Sequence, residues 1–572
     1  MSTVPASAPP SRRAWGALLV VLFAAFMDTL DLGITAVAAP AIQRDLHASY
    51  SEAQWFLAAY ALAFAVLLIA GGRLGDLHGR RRVFLVGVSG FTAASAVCAL
   101  APTAGVLIGA RFLQGGFGAL MIPQVLAVLQ VLFPPERRAV AFAVYGSVMN
   151  LAQLSGPVLG GLLATDDALG LGWRAIFLVN VPVGVLVLIG TALLLPESRS
   201  DRPQRLDTVG VLLVALLSGL LVYPLQQGRT AGWPAWMTAA LTCALPVGVL
   251  VVWHQSRRGP ERALVPVGLF RSRSFSAGMV QLLLVYSALV AQQMPVVWLT
   301  QAGLGWSALR TGAATVGWTL GLCLLGVPAV SLAPRIGRAL LATGCVVAAS
   351  GTLLLGSVLR AQPLGFWPLC GCLTLIGCGL GLIVPILINL VLAGVPQRDA
   401  GSGAGIANAA VYFASAAGVG LVGLLFFGQV AAGGAAHARA QLPALRAGPA
   451  AQGSAGAARD SASAALVRCV AERTRATDPY QVPESCRTAP ADSPAVAARV
   501  QAAWQRSFAD AASDSLRYPA GALVVVLALT PLLPRSGGSR SPGRHRRPRG
   551  RPELRERRAF TRSSGGLHRS RA

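Results

Sequence analysis

The sequence predicts an all-α membrane protein with fourteen transmembrane helices. Of its 572 residues, 54% are hydrophobic and only 12% are charged, whereas a soluble domain carries roughly 25% charged residues. The mean hydropathy of +0.60 agrees. A bilayer core requires about 20 apolar residues per crossing helix, and the chain contains fourteen segments of that kind. This composition excludes a chain of soluble domains. Because the chain has only 9 cysteines, a fold held together by disulfides is excluded as well.

The predicted spans follow one another along almost the whole chain. Their centres are Phe23, Leu62, Phe91, Gly118, Leu151, Val185, Leu216, Leu245, Leu284, Leu320, Ala348, Ile376, Val419 and Leu527. The first span is too long for a cleaved signal sequence, and it contains two acidic residues. The last span is short, beginning near Tyr518 and ending at Pro534. Before it, Val500, Trp504 and Phe508 recur at i+4, which predicts an amphipathic helix on the outer face of the membrane.

Arginines in the short loops predict the orientation of the spans. Every second loop is rich in arginine, as in Arg80–Arg82, whereas the alternate loops hold about one each, such as Arg174 and Arg310. Positively charged loops stay on the cytoplasmic side, so both termini are expected in the cytoplasm of a multi-pass plasma-membrane protein. The chain has no lysine and 64 glycines, a coding bias typical of a high-GC bacterium.

Three charged residues lie inside predicted spans. Placing a charged side chain in hydrocarbon costs roughly a few kcal/mol, so a charge that is kept there indicates a function. Asp28 and Asp31 stand at i and i+3 on one face of the first span. Arg111, in the fourth span, lies at a similar depth when each residue contributes about 1.5 Å. Two interpretations stay open: a static pair that aids assembly, or a protonatable carboxylate set against a movable arginine.

The turn after the second span carries a specific pattern, Gly72-Arg73-Leu74-Gly75-Asp76-Leu77-His78-Gly79-Arg80-Arg81. It resembles the Gly-x-Leu-x-Asp-x-x-Gly-Arg-Arg signature of the major facilitator superfamily. Further segments resemble motifs of its fourteen-helix drug:proton antiporters. They are Leu30-Asp31 with Pro40, the run from Arg111 to Gly118, the run from Ser155 to Gly161, and Gly172-Trp173-Arg174 with Asn180-Val181-Pro182.

This resemblance implies the major facilitator fold, with two six-helix bundles and two inserted helices. The expected parts are a cytoplasmic N-terminus (1–13), an N-terminal bundle (14–195), a linker with the two extra helices (196–272), a C-terminal bundle (273–534) whose outer loop is 429–517, and an arginine-rich cytoplasmic tail (535–572).

The resemblance also implies roles for individual residues. Asp31 and Arg111 are the residues expected to couple transport to protons, and Asp28 is a further acid that the family pattern lacks. The conformational gate is assigned to Gly72, Asp76, Gly79, Arg80 and Arg81, and the antiporter-helix motif to Gly156, Pro157, Gly160 and Gly161. The sequence departs from the family pattern at Gly33, Ala36 and Phe413-Ala414, where relatives carry polar residues.

Polar and aromatic residues in the spans are candidates for a substrate cavity. They are Tyr60, Asn150, Gln153, Gln292, Gln293, Trp298, Trp318, Asn389, Asn408 and Tyr412. Most such residues serve packing instead, so each alone is a weak indication.

The cysteines divide into two classes. Cys469 and Cys486 lie in the long loop on the oxidising side of the membrane, so they are expected to form a disulfide. The other seven lie in apolar runs, as packing thiols. No cysteine and histidine cluster has metal-ligand spacing, and no phosphate-binding loop is apparent. We therefore expect neither metal, cofactor nor enzymatic activity.

The buried charges and the resemblance to drug:proton antiporters favour a proton-coupled antiporter that exports hydrophobic drugs or antibiotics. Its partners would be a small-molecule substrate, protons and the lipid bilayer; nucleic acid is not expected, and the protein would be a monomer. One alternative is export of an endogenous metabolite, a lipid or a siderophore, which the sequence does not separate from drug export. Another is a membrane receptor or regulator without transport, which the buried acid and complete signature turn disfavour.

Overall fold

The computed structural model consists of helices and their connections throughout the residues that it describes. These are 12–133, 135–165, 170–199, 206–258, 263–361, 363–393, 395, 400–446, 456–476, 478, 482–487 and 494–534. The predicted arginine-rich tail, 535–572, lies outside the described residues, as do the first eleven residues of the predicted N-terminal segment.

Helices α1 to α9 occupy the first half of the chain. Their bounds are α1 Arg12–Asp45, α2 Tyr50–His78, α3 Arg80–Ala99, α4 Ala104–Leu132, α5 Pro135–Thr165, α6 Ala175–Leu178, α7 Asn180–Leu194, α8 Thr208–Ala231 and α9 Ala235–Arg257. The short α6 joins α7 to form one crossing segment, Gly172–Leu194.

Helices α10 to α18 occupy the second half. Their bounds are α10 Arg273–Trp298, α11 Ala308–Arg360, α12 Phe366–Leu392, α13 Ala400–Ala440, α14 Leu442–Arg446, α15 Gly456–Arg475, α16 Glu484–Arg487, α17 Pro494–Ser515 and α18 Arg517–Leu529. Helix α11 is 53 residues long, contains Pro328 and Pro334, and has non-helical backbone angles at Ile336. Prolines remove a backbone donor and bend helices, so α11 is two successive helices joined at a bend.

The predicted fold class is confirmed. Among the described residues, twelve helices are long and apolar enough to cross a membrane. That count takes α11 as one helix and omits α5, which has 31 residues and is also long enough to cross. When α11 is divided at Ile336 and α5 is included, the helices coincide with the fourteen predicted spans.

The helices pack into two groups. In the first group (α1–α7), α2 and α3 both pack on α4, and α1 packs on α5 and α7. In the second group (α10–α13 with α17 and α18), α10 packs on α13 and α18, and α11 packs on α12. The two groups meet where α2 contacts α13 and where α5 contacts α11. We call the side that holds the α2–α3 turn the basic face and the other side the opposite face.

Helices α8 and α9 pack against each other, and α8 also packs on α2 and α13. Asp207 caps α8: its carboxylate accepts hydrogen bonds from Gly210 N (3.0 Å), His254 Nε2 (3.1 Å) and Gln255 Nε2 (2.9 Å). Burial alone would raise the pKa of Asp207, but these donors outweigh it, and the pKa lies below its ordinary value. The guanidinium of Arg73 in α2 donates to the carbonyl oxygen of Ala263, just after α9. The two extra helices are therefore fastened to the first group.

A helical insertion stands on the opposite face. It begins where α13 continues to Ala440 and includes α14 to α17. Ala438, Leu466, Val470 and Ala503 form a small separate core, and a disulfide joins Cys469 to Cys486.

Helix α17 corrects one prediction. Its residues Val500, Trp504 and Phe508 were expected to lie on the membrane surface, but Trp504 and Phe508 are buried against protein. Trp504 Nε1 donates to the carbonyl oxygen of Ala302 at 3.0 Å. Helix α18 has 13 residues, or about 20 Å, which is too short to cross a bilayer. The last span therefore begins within α17 rather than near Tyr518.

Candidate functional site

The centre of the first group holds a buried ion pair between Asp31 of α1 and Arg111 of α4. The two side chains are 1% and 0% exposed. Gln114 Nε2 and Asn180 Nδ2 also donate to Asp31 Oδ1, at 3.0 and 2.9 Å. The carboxylate of Asp31 thus has three donors from two helices. Such a satisfied pair can persist in a low-dielectric interior, where an isolated charge cannot.

Arg111 is held by a second set of contacts. Its Nε donates to the carbonyl oxygen of Phe56 at 2.9 Å, and Nη1 donates also to Gln114 Oε1 at 2.7 Å. The guanidinium lies 4.6 Å from the ring centre of Tyr60. Ser95 Oγ accepts from Gln114 Nε2 at 2.9 Å. These contacts join α1, α2, α3, α4 and α7 in one polar network.

Asp28, one helical turn before Asp31, has a different environment. Its side chain is also buried, and Oδ1 accepts a hydrogen bond from the hydroxyl of Tyr60. Among the described residues, no base forms an ion pair with Asp28. A Cβ at Gly118 would lie 2.9 Å from Asp28 Oδ1, so glycine in α4 leaves room for this carboxyl group. Two acids on one helix face therefore differ: Arg111 neutralises Asp31, whereas a hydroxyl is the hydrogen-bond partner of Asp28.

A row of aromatic rings leads from Asp28 to a cavity. Tyr60 stacks with Phe64 at 5.9 Å between ring centres, and Phe64 stacks with Tyr412 at 3.9 Å. Tyr412, on α13, lines the cavity between the two groups. The buried acid and the cavity are thus three rings apart.

The cavity has a volume of about 390 Å³. Its lining consists of Thr29, Leu32, Gly33, Ala36, Leu57, Ala61, Gln153, Pro157, Tyr286, Leu289, Val290, Gln293, Trp318, Thr319, Leu322, Val411, Tyr412, Ser415 and Val419. All of these side chains are uncharged, and both helix groups contribute. A space of this size, mostly apolar with a few polar groups, is typical of small-molecule sites.

Four of the residues proposed for the substrate cavity, Gln153, Gln293, Trp318 and Tyr412, line it. The lining does not include Tyr60, Asn150, Gln292, Trp298, Asn389 or Asn408. Gln292 donates instead to Thr352 Oγ1 at 2.7 Å. Asn389 and Asn408 donate to carbonyl oxygens of their own helices. Tyr286, Thr319 and Ser415 also line the cavity but were not predicted, because in the sequence they are only polar residues within apolar runs.

Small residues on α1 and α5 shape the cavity. Gly33 and Ala36, where the family pattern has polar residues, both line it. A Cβ at Gly33 would lie 3.3 Å from the Cα of Gly156, so the two helices touch here. Further along α5, a Cβ at Gly160 would lie 2.9 Å from the Cα of Ile34. The antiporter-helix motif therefore permits close packing of α5 on α1.

The same motif also brings α5 against the second group. A Cβ at Gly161 would lie 2.7 Å from the Cα of Leu309, and Gly312 packs on the backbone of Pro157. These contacts lie near the C-terminal end of α5 and the N-terminal end of α11, which is the opposite face. The two groups are therefore in direct backbone contact on that face.

The α2–α3 turn is built around Gly79, whose φ of +104° is a conformation that favours glycine. Asp76 and Arg80 form an ion pair across the turn at 2.9 Å. Arg81 Nη2 donates to the carbonyl oxygen of Ala192 at 2.7 Å. Glu197 accepts from the backbone N–H of Arg81 at 3.1 Å. The turn is thereby held against the end of α7.

Two features of this turn were not predicted. Glu197 received no role, although an acid just past a span is the natural partner of an arginine run. Gly72 makes only ordinary contact, since a Cβ there would lie 3.7 Å from Pro123. The close approach to α4 is made by Gly71, whose added Cβ would lie 3.1 Å from the Cα of Leu120.

Residues 21–419 match the family described as Major Facilitator Superfamily. The chain is 37% identical over 538 residues to the "Probable actinorhodin transporter" of Streptomyces coelicolor, covering 92% of each chain. It is 34% identical to "Puromycin resistance protein pur8" of Streptomyces alboniger, covering 74% of this chain and 84% of that protein. It is 29% identical to "Multidrug efflux pump LfrA" of Mycolicibacterium smegmatis, covering 74% and 82%.

Solved structures show the same fold at low sequence identity. A bacterial homologue of the human lysosomal transporter Spinster, in an inward-facing and unoccupied conformation, matches with a TM-score of 0.58 and 15% identity. The match covers 92% of this chain and 98% of that one. A D-xylose–proton symporter matches with a TM-score of 0.52 and 17% identity, over 72% and 90% of the two chains.

Proposed function

This chain belongs to the major facilitator superfamily, and we propose that it is a proton-coupled antiporter that exports hydrophobic drugs or antibiotics across the plasma membrane. One observation carries the proposal. A buried acid without a basic partner, Asp28, lies one helical turn from a neutralised acid, Asp31, and three rings from an uncharged cavity between the helix groups.

The proposed coupling assigns different tasks to the two acids. Asp28 binds and releases the proton, because burial without a basic partner favours the neutral form and entry of water favours the charged form. Asp31 and Arg111 hold α1 against α4, and rearrangement of this pair moves α1 when Asp28 changes charge. Tyr60 touches both Asp28 and Arg111, so it is placed to link the two.

The proposed cycle is alternating access around the cavity. The contacts of α5 with α11 keep the opposite face closed in this conformation. We assign the turn with Asp76 and Arg80 as the gate on the basic face. The loop arginines support a cytoplasmic location for that face. The protein is proposed to act as a monomer in the membrane and to need no cofactor.

The relatives favour antibiotic export over the alternatives. Proteins named for actinorhodin and puromycin match over most of their lengths. Export of an endogenous metabolite, a lipid or a siderophore is the second candidate, and the uncharged cavity is compatible with it. The third alternative, a membrane receptor without transport, is not favoured, because a receptor needs no buried acid beside a cavity.

Transport by everted membrane vesicles tests the proposal. Puromycin, tetracenomycin C and ethidium are offered with a proton gradient, and again after a protonophore has collapsed it. We expect uptake of at least one compound that requires the gradient and that fails in the Asp28→Asn variant. Uptake equal to that of vesicles lacking the protein, for every compound, would overturn the proposal.

A further inference from the structure

Three aromatic rings close the cavity toward the opposite face. Tyr50 at the start of α2 and Phe427 of α13 lie 3.9 Å apart between ring centres. Trp298 at the end of α10 lies 5.9 Å from Tyr50 and 5.6 Å from Phe427. All three side chains are buried. We call these rings the aromatic plug.

Trp298 of the plug borders a second, smaller cavity next to the main one. This smaller cavity is lined by Trp298 together with Ala53 and Gln54 near the start of α2. Its lining shares Ala36, Leu57, Val290, Gln293 and Val419 with the main cavity. A molecule that left the main cavity toward the opposite face on this side would therefore meet the plug.

Two arginines lie beside the plug. The Cζ of Arg229, in α8, is 5.9 Å from the ring centre of Tyr50 and 6.0 Å from that of Phe427. Arg473, in α15 of the insertion, interacts electrostatically with Tyr50, and its Cζ lies 4.2 Å from the ring centre of Trp504. Elements far apart in sequence thus bring one cation, Arg229, beside two of the plug rings and a second, Arg473, within electrostatic range of Tyr50.

Neither arginine forms an ion pair with an acid in the described part of the chain. Acids on this face pair with other bases: Asp45 with Arg174 at 2.9 Å, Asp510 with His437 at 2.8 Å, and Asp514 with Arg360. The Nε atom of Arg473 is buried without a hydrogen-bond partner. Partial burial removes part of the hydration of each guanidinium, and stacking on aromatic faces replaces only part of it.

We infer that Arg229 and Arg473 form an exit site that binds the carboxylate or phenolate of an aromatic substrate. The planar fork of a guanidinium matches a carboxylate and forms strong charge-assisted hydrogen bonds. The uncharged cavity, with Tyr286, Trp318 and Tyr412, receives the aromatic body, and the plug rings stack with it as it passes. This inference rests on the proposed function and narrows its substrate class to aromatic compounds with an anionic group.

Export of a matched pair of compounds tests the inference. Everted vesicles are offered 9-anthracenecarboxylate and its neutral amide, with ethidium as a cationic reference. In the Arg229→Gln/Arg473→Gln variant, carboxylate uptake should fall about tenfold, the value of one lost charge-assisted contact, while amide uptake stays unchanged. The double lysine variant, which keeps the charges, should retain most of the carboxylate uptake.

Arg310 supplies the control. It lies on the same face, 4.0 Å from the ring centre of Trp306, but has no contact with the plug, so Arg310→Gln should leave all three uptakes unchanged. Equal loss of carboxylate and amide uptake in the glutamine variant would assign the arginines a structural role and overturn the inference. Wild-type vesicles that take up the amide or ethidium but no carboxylate would also overturn it. Wild-type vesicles that take up none of these compounds or of the antibiotics above would contradict the proposed function itself.

Discussion

Replacing the two partners of the buried pair separately and together should separate charge compensation from proton coupling. Asp31→Asn keeps the shape of the side chain but leaves Arg111 as an uncompensated buried cation. Arg111→Gln leaves Asp31 as an uncompensated buried anion. The double variant removes both charges. We expect both single variants to be less stable than the wild type and the double variant to recover most of that stability.

The size of the effect follows from the contacts. Breaking a fully buried ion pair by removing one partner costs about 3–5 kcal/mol. In Asp31→Asn, Arg111 keeps its hydrogen bonds to the carbonyl oxygen of Phe56 and to Gln114. The free energy of unfolding should therefore fall by about 3 kcal/mol, near the lower end of this range. In the double variant the neutral side chains can share a hydrogen bond, so the loss should be about 1 kcal/mol.

Unfolding by SDS in detergent micelles measures these free energies, and vesicle transport measures coupling in the same variants. The double variant should be stable yet have impaired gradient-driven transport, since no charge remains to respond to Asp28. A double variant as unstable as the worse single variant would show that the lost stability of the single variants does not come from an uncompensated charge. A stable double variant with full gradient-driven transport would leave the pair with an assembly role only.

Other predictions concern sites away from the pair. Asp28→Asn should abolish gradient-driven efflux with little loss of stability, because it removes a proton-binding group that has no basic partner; full efflux in a well-folded variant would move the coupling elsewhere. Asp76→Asn should slow turnover more than it weakens substrate binding, as separate measurements of transport rate and equilibrium binding would show, whereas full turnover would remove the gate assignment. Reducing the Cys469–Cys486 disulfide should expose the insertion to protease without uncoupling transport, and unchanged digestion after reduction would contradict this. Asp207→Ala removes a helix cap and the hydrogen bonds from His254 and Gln255, and should cost about 1–3 kcal/mol. Because the pKa of Asp207 is lowered on folding, its contribution is present above the unfolded-state pKa of about 3.9 and is lost as the pH falls through the folded-state value. If acidification lowered the free energy of unfolding equally in the alanine variant and in the wild type, this assignment would be contradicted.

Helix positions and the central pair could be predicted from the sequence, because hydrocarbon imposes simple rules. A crossing helix needs an apolar run of fixed length, and charges within it need partners. A rise of about 1.5 Å per residue sufficed to place Asp31 and Arg111 at one depth, and the structure brings them together.

Residue partners set by tertiary packing could not be predicted. Asn389 and Asn408 resemble cavity residues in the sequence, but each can satisfy its amide on the preceding turn of its own helix. Gly33 shapes the cavity because it is small, and a missing side chain leaves no polar signal. The apolar face of α17 has the period of a membrane-surface helix. The period of the apolar residues shows which face of the helix is apolar, but it does not show whether lipid or protein covers that face. In this structure the face is covered by protein around Ala302.

Simultaneous recording of proton and substrate movement in proteoliposomes measures the proposed exchange of a proton for a substrate. The purified protein is reconstituted with a pH indicator inside the vesicles, and a compound exported in the vesicle assay is supplied outside with an imposed proton gradient, acidic inside. We expect the compound to accumulate while the interior pH rises faster than without the compound, and we expect Asp28→Asn to remove both signals. Accumulation that persists unchanged after a protonophore collapses the gradient, or in Asp28→Asn, would contradict this expectation.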